Sequence, residues 1–278
     1  MYIVFINTFL SNRYNISKET GDSPMRIVIK IGTSTLTHKT GHLNIRRVET
    51  ICKVISDIKN AGNEVIVVSS GAIAMGVGKL GLEGRPADMA TKQASAAVGQ
   101  CELMYTYDKI FSEFNHNVAQ ILITNADLHN EKNYANFKNT LSRLLELEAI
   151  PIINENDTIA TDEIVIGDND TLGAVVAKSV HADLLVLLSD IDGLYTADPH
   201  KDPNATLIPI VKNVDSETYA LADGKGSTFG TGGMVTKLKA AEICMEAGCD
   251  MVITNGKEPT NLYDILDGKP VGTRFTVK

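Results

Sequence analysis

The sequence predicts an α/β fold: a three-layer sandwich with helices on both faces of a mostly parallel central sheet. Two observations carry that expectation. Short apolar runs alternate with helical patterns from residue 25 to the C-terminus. The interior must also be filled with Val, Ile, Leu and Ala, because the chain holds no Trp, seven Phe and eight Tyr. That is the composition of strands buried on both faces.

The elements follow in order. Residues 26–32, "RIVIKIG", form a short apolar run closed by glycine and read as a buried strand. In 44–62, "NIRRVETICKVISDIKNAG", Ile45, Val48, Ile51, Cys52, Ile55 and Ile58 recur at helical spacing and Gly62 marks the stop. "EVIVVSS" (64–70) is the next strand, and the "SSGAIAMG" that overlaps its end opens a helix. A long helical stretch runs from about Asp88 to Phe114. Further strands are expected at 118–124, 150–154, 183–189 and 249–254, with helices near 133–148, 170–181 and 233–247. Residues 159–167, "IATDEIVIG", alternate with a period of two and predict a small inserted hairpin. One domain, 25–278, is expected, and Met25 stands directly before its first strand. Residues 1–24 look detached from it. They lack a basic start and a clear cleavage site, so a start assigned too early or a disordered tail is expected in place of a targeting segment.

Composition narrows the function. A net charge of −8 argues against nucleic acid as a partner, and no apolar run of membrane-spanning length is present. Cys52, Cys101, Cys244 and Cys249 form no C-x-x-C pair. They read as reduced, mostly buried thiols of a cytosolic protein, with no metal site built from protein side chains.

Ligands of such sheets bind beyond the carboxyl ends of the strands. Polar and glycine residues gather there repeatedly, at Lys30–Ser34, Ser69–Ala72, Asn154–Asp157 and Ser189–Gly193. A purely structural sheet has no need of them. Lys30 interrupts an apolar strand, where a lysine requires a partner. Gly32 lets the backbone approach a phosphate. Gly71 would present N–H groups at a helix start, although a plain tight turn explains it equally well. The segment 154–170 is crowded with carboxylates and ends in Asp168, Asn169 and Asp170 before a helix; one of the three suffices as an N-cap.

"FGTGGMVTK" (229–237) is glycine-rich but fails the P-loop pattern, because Lys237 is preceded by Thr236 and followed by Leu238. Lys237 falls in the first turn of the next helix. The dipole opposes a cation there, and an anionic phosphate would compensate. Two separated lysines, two glycine turns and a carboxylate cluster together suggest phosphoryl transfer. The six histidines lie outside the strand-end motifs. That favours an acceptor needing no general base, a carboxylate or a phosphate.

The segments "VIKIGTSTLT", "VIVVSSGAIAMG", "INENDTIATDEIVIGDNDTLGA", "LLSDIDGLYTADP" and "GTGGMVTKLKAA" resemble, in order, the motifs of the glutamate 5-kinase branch of the amino acid kinase family. The resemblance covers about 25–278. It implies ATP-dependent phosphorylation of the γ-carboxylate of L-glutamate, opening proline biosynthesis in the cytoplasm, with Mg²⁺ and with L-proline as feedback inhibitor. It implies that Lys30 and Lys237 neutralise the transferring phosphoryl group and that Asp170 supports the lysines or the acceptor. Ser70, Gly71, Asp157 and Asn169 would hold glutamate. Gly32, Ser189, Asp190, Tyr195, Thr231, Gly232, Gly233 and Met234, with the two lysines, would surround the nucleotide. A homo-oligomer, dimer or tetramer, is implied, as is the short form without the C-terminal RNA-binding-type domain that many members carry.

Overall fold

A computed structural model of the chain describes residues 24–38, 40–159, 168–199, 201–222 and 233–277. The first half contains β1 (Arg26–Ile31), α1 (Thr33–Leu36), α2 (Ile45–Asn60), β2 (Glu64–Ser69), α3 (Ala72–Leu80), α4 (Met89–Ser112), β3 (Val118–Ile123), α5 (Asn125–His129), α6 (Glu131–Glu146) and β4 (Ile150–Glu155). The second half contains α7 (Asn169–Ser179), β5 (Leu184–Ser189), β6 (Ile210–Val211), α8 (Ser216–Ala222), α9 (Met234–Glu246), β7 (Asp250–Asn255), α10 (Asn261–Leu266) and β8 (Thr273–Phe275).

The described strands form one sheet in the order β3-β4-β2-β1-β5-β7-β8-β6. Neighbours are parallel except β7 and β8, which are antiparallel. Each face of the sheet carries its own core. On one face Val28, Ile66 and Leu185 pack with Leu141 of α6, Leu172 of α7 and Leu238 of α9. On the other, Ile27, Ile29 and Ile31 pack with Ile51 and Ile55 of α2, Leu103 and Tyr107 of α4, and Leu262 of α10. The expected sandwich with a mostly parallel sheet is thus the observed one.

The alternation within β1 has a consequence for the site. Successive side chains point to opposite faces. Lys30 therefore shares a face with Val28, the face covered by α7 and α9.

Caps fix where the helices begin. Asn44, Asp88 and Asp168 each accept a backbone N–H three residues on, at the starts of α2, α4 and α7. Asp168 is therefore the cap, while Asn169 and Asp170 already belong to the first turn of α7 and do not precede it. Ile45, expected on the apolar face of α2, stays exposed at the helix's first residue. Three of the cysteines are buried, but Cys101 is exposed on α4. Among the described residues no helix is long and apolar enough to cross a membrane. The hairpin expected at 159–167 falls, beyond Ile159, outside the described residues, as do residues 1–23.

Helices α3 and α4 cross backbone to backbone. A methyl group on Gly99 would lie 1.7 Å from the Ala72 carbonyl oxygen, and one on Gly76 would lie 1.8 Å from that of Ser95. Neither contact can be relieved by a side-chain rotation. Gly99→Ala is expected to destabilise the protein by about 3 kcal/mol in urea unfolding, at the upper end of ordinary overpacking. A change below about 0.5 kcal/mol would mean that the helices separate without cost.

Candidate active site

The carboxyl ends of β1, β2, β4 and β5 and the first turns of α3, α7 and α9 meet at one edge of the sheet. At the centre stands Asp170, 1% exposed. Lys30 Nζ lies 2.6 Å from its Oδ1. Lys237 Nζ donates to its Oδ2 at 3.1 Å. The Thr236 hydroxyl lies 3.1 Å from the same Oδ2 and 2.8 Å from the Gly233 carbonyl oxygen. Two lysines more than 200 residues apart in sequence thus share one carboxylate.

Each partner is delivered by local structure. Lys30 arrives through the strand alternation. Its stem runs past Gly173 of α7, where a side chain would press within 3.6 Å of the Lys30 Cβ. Asp170 is aimed inward because Asp168 starts the helix two residues earlier. Lys237 lies in the first turn of α9 and is 5% exposed. The helix dipole opposes a cation in that turn, and the Asp170 carboxylate offsets it. Burial favours the neutral acid at Asp170. The Lys30 and Lys237 ammonium groups together outweigh it and hold the carboxyl below its ordinary range.

On the β2 and β4 side of Lys30 opens a cavity of about 650 Å³. Ser70, Gly71, Asp157 and Asn169 line it, together with Asn154, Glu155 and Asp168. Gly71 caps α3 with φ 100°, a left-handed conformation that favours glycine. Burial pushes the Asp157 carboxyl up, with the Arg85 charge acting in the opposite direction. Burial also raises Asp168, partly countered by the N–H of Thr171 that it caps. The Asn169 side-chain amide lies 2.9 Å from Ser70 Oγ, 3.1 Å from the Ser69 carbonyl oxygen and 3.0 Å from Asn154 Oδ1.

The lining also includes residues that the sequence did not mark. Thr37, His38 and Arg85 border the cavity. His38 lies outside the strand-end motifs, as read from the sequence, yet it reaches the cavity. The chain after α1 folds back so that Thr37 bridges to Leu43, and the turn carries His38 over the end of β1. Arg85 stands in the loop between α3 and α4, beside Gly84 at φ 86°. The turn glycines were its only local signal.

The remaining predicted residues separate from this cavity. Ser189 and Asp190 stand at the end of β5, with Ser189 Oγ donating to Asp190 Oδ1 at 3.2 Å. Tyr195 donates its hydroxyl to Asp192 at 3.0 Å. None of the three lines the cavity, and β1 with Lys30 lies between the two sides. Gly32 donates its N–H to Leu188 of β5 at 3.2 Å, and a Cβ there would lie 3.7 Å from Lys30 Nζ. Gly233 caps α9 and Met234 packs into the core. Thr231 and Gly232 lie outside the described residues. Among the described residues no group of three or more His, Cys, Asp or Glu is arranged to hold a metal ion.

The sequence profile described as "Amino acid kinase family" matches residues 25–255. The chain is 49% identical over 265 residues to a protein of Listeria innocua named glutamate 5-kinase, covering 94% of this chain and 96% of that one. It is 51% identical over 257 residues to a Clostridium perfringens protein of the same name, covering 91% and 96%. Among solved structures, an isopentenyl phosphate kinase substrate complex superposes with a TM-score of 0.66 at 20% identity, covering 90% of this chain and 99% of that one. A carbamate kinase from Giardia lamblia bound to AMP-PNP gives 0.64 at 20% identity, over 92% and 99%. At that identity the structural likeness speaks for the fold.

Asp170→Asn leaves two buried ammonium groups without their carboxylate. A loss of about 3 kcal/mol is expected in urea unfolding at pH 7. Because the folded-state value of Asp170 is depressed, its contribution is complete above the unfolded value of about 3.9 and is lost as pH falls through the folded one. The gap between wild type and variant should therefore narrow below about pH 4. A gap that widens on acidification would contradict the assigned charge state.

Proposed function

The chain belongs to the amino acid kinase family, and from that premise we propose the reaction this site performs. It phosphorylates the γ-carboxylate of L-glutamate with ATP, giving glutamyl 5-phosphate and ADP, the step that opens proline biosynthesis. One observation carries the assignment of roles. Two lysine ammonium groups converge on one buried carboxylate between a cavity for the acceptor and the end of β5, where the nucleotide is assigned.

The obstacle is charge. The acceptor carboxylate and the polyphosphate repel each other and must be brought within attack distance. A carboxylate with a pKa of about 4.3 is already ionised at neutral pH, so no general base is required. One γ-carboxylate oxygen attacks the terminal phosphorus and the bond to the ADP oxygen breaks. Lys30 and Lys237 neutralise the three equatorial oxygens as charge spreads over them. Asp170 holds both ammonium groups in position and is a positioning residue for them.

The cavity suits an amino acid with two carboxylates. Asp157 and Glu155 face the ammonium group of the substrate. Arg85, a cation among the described lining residues, faces its α-carboxylate. Ser70 and Gly71 hold the acceptor end, and Asn169 joins Asp157 and Glu155 in holding the amino acid. Gly32, Ser189, Asp190, Tyr195 and the 231–234 segment belong to the nucleotide side. Mg²⁺ bound with the nucleotide would supply further neutralisation of the phosphates. The described residues add no cage for it, because both Asp170 oxygens face lysines and Asp168 caps α7, which suits a metal that arrives with the nucleotide. Feedback binding of L-proline at or near the glutamate cavity and a homo-oligomeric state are parts of the same proposal.

ATP turnover with a panel of acceptors, trapped with hydroxylamine, tests the reading. Glutamyl hydroxamate is the expected product, and its absence would reopen the acceptor. Lys30→Ala and Lys237→Ala should each lower kcat by about 100-fold or more, in the range of lost transition-state donors, with the thermal transition retained. Asp157→Ala should mainly raise the KM for glutamate. A raised KM for ATP with that for glutamate unchanged would reverse the assignment.

A further inference from the structure

From the lining of the acceptor cavity a line of side-chain amides runs outward to two residues, Gln100 and Gln120, that no strand-end motif contains. Asn169 donates to Asn154 Oδ1 at 3.0 Å. Asn154 Nδ2 donates to Gln100 Oε1 at 3.0 Å. Gln100 Nε2 donates to Gln120 Oε1 at 3.0 Å. Asn154 and Gln100 are 2% and 7% exposed. Gln100 stands on α4 and does not line the cavity. Gln120 stands exposed on the edge strand β3.

An amide chain can run in either direction, and two main-chain groups choose here. The Glu155 N–H donates to Asn154 Oδ1 at 2.9 Å, so that atom must be the oxygen. The Ser69 carbonyl accepts from Asn169 Nδ2 at 3.1 Å, so that atom must be the nitrogen. With those two fixed, Asn154 must offer its NH₂ to α4, and only an acceptor there completes the line. Gln100 Oε1 is that acceptor. At the other end, Asn169 Oδ1 has no donor among the described residues, in a side chain that lines the cavity. The cavity therefore receives an acceptor oxygen from Asn169, suited to the ammonium group of an amino acid.

We infer that Gln100 is a positioning residue for the acceptor: by accepting the Asn154 NH₂ it stabilises the direction that the two main-chain groups set for the Asn169 amide, and so the polarity the cavity offers to glutamate. The inference rests on the acceptor assignment above. If Asn154 loses its partner on α4, its buried NH₂ is left unpaired and works against the orientation that the Glu155 N–H sets, so the Asn154 oxygen that accepts from Asn169 is held less firmly. The nucleotide side shares no member of this line.

The test is a kinetic series on the full chain. Gln100→Met keeps the volume and removes the acceptor. A rise in glutamate KM of about tenfold is expected, one hydrogen bond's worth, with kcat and the KM for ATP within about twofold of wild type. Gln100→Glu keeps an oxygen toward Asn154 and should return the glutamate KM to within about threefold. Gln120→Leu, exposed and distant from the cavity, should raise it by about two- to threefold and serves as the second arm should Gln100→Met fail to fold. Equal changes in both KM values, no difference between the Met and Glu variants, or an unchanged glutamate KM in both Gln100→Met and Gln120→Leu would overturn the inference. A wild-type enzyme that forms no glutamyl hydroxamate would instead overturn the acceptor assignment.

Discussion

One buried carboxylate organises this protein. Asp170 holds Lys30 and Lys237 at 2.6 and 3.1 Å from its two oxygens. Each contact is worth roughly 5–6 kcal/mol at an effective dielectric near 20. Removing three charged groups from water costs several kcal/mol apiece, so the cluster as a whole adds little net stability. An apolar trio would serve the fold as well. What the triad supplies is placement: two ammonium groups on strand β1 and helix α9, converging from opposite sides.

The rest of the architecture follows from that requirement. The central strand must carry a lysine on the face that α7 and α9 cover, and β1 does so by alternation alone. Helix α7 must present a carboxylate in its first turn, which the Asp168 cap secures. Gly173 of the same helix lies alongside the Lys30 stem. The two ligand sides then fall on either side of β1, with β2 and β4 toward the cavity and β5 and β7 away from it. Under the proposed function, a donor and an acceptor that repel each other would thus be approached from separate directions and meet over the lysines.

Much of this was legible in the sequence, for identifiable reasons. Lys30 was visible because a lysine inside "RIVIKIG" contradicts its apolar neighbours. Lys237 was visible because a cation in a helix's first turn contradicts the dipole. Asp170 drew attention as part of a run longer than one cap needs. The two-residue β6 and three-residue β8 carried too little periodicity to be seen. Arg85 and His38 reach the cavity through turns whose direction only the folded chain sets. Gln100 was the least visible, because a polar residue on the long helix α4 reads as solvent-facing. Its role depends on Asn154 standing opposite, 54 residues away.

The failed P-loop at 229–237 takes on a physical meaning in this setting. A Walker-type lysine follows its loop directly and works beside main-chain N–H groups that precede the helix. Lys237 instead lies inside the helix, 5% exposed, where it pairs with the Asp170 carboxylate. The anion beside it is supplied by the first turn of α7. The departure from the P-loop spacing and the acidic first turn of α7 are therefore two halves of one arrangement. A chain that placed its second lysine this way without an Asp at 170 would lose the carboxylate that pairs with this buried charge. In this fold the glycine loop, the carboxylate and the strand lysine have to occur together, which is why motifs that are weak singly are informative as a set.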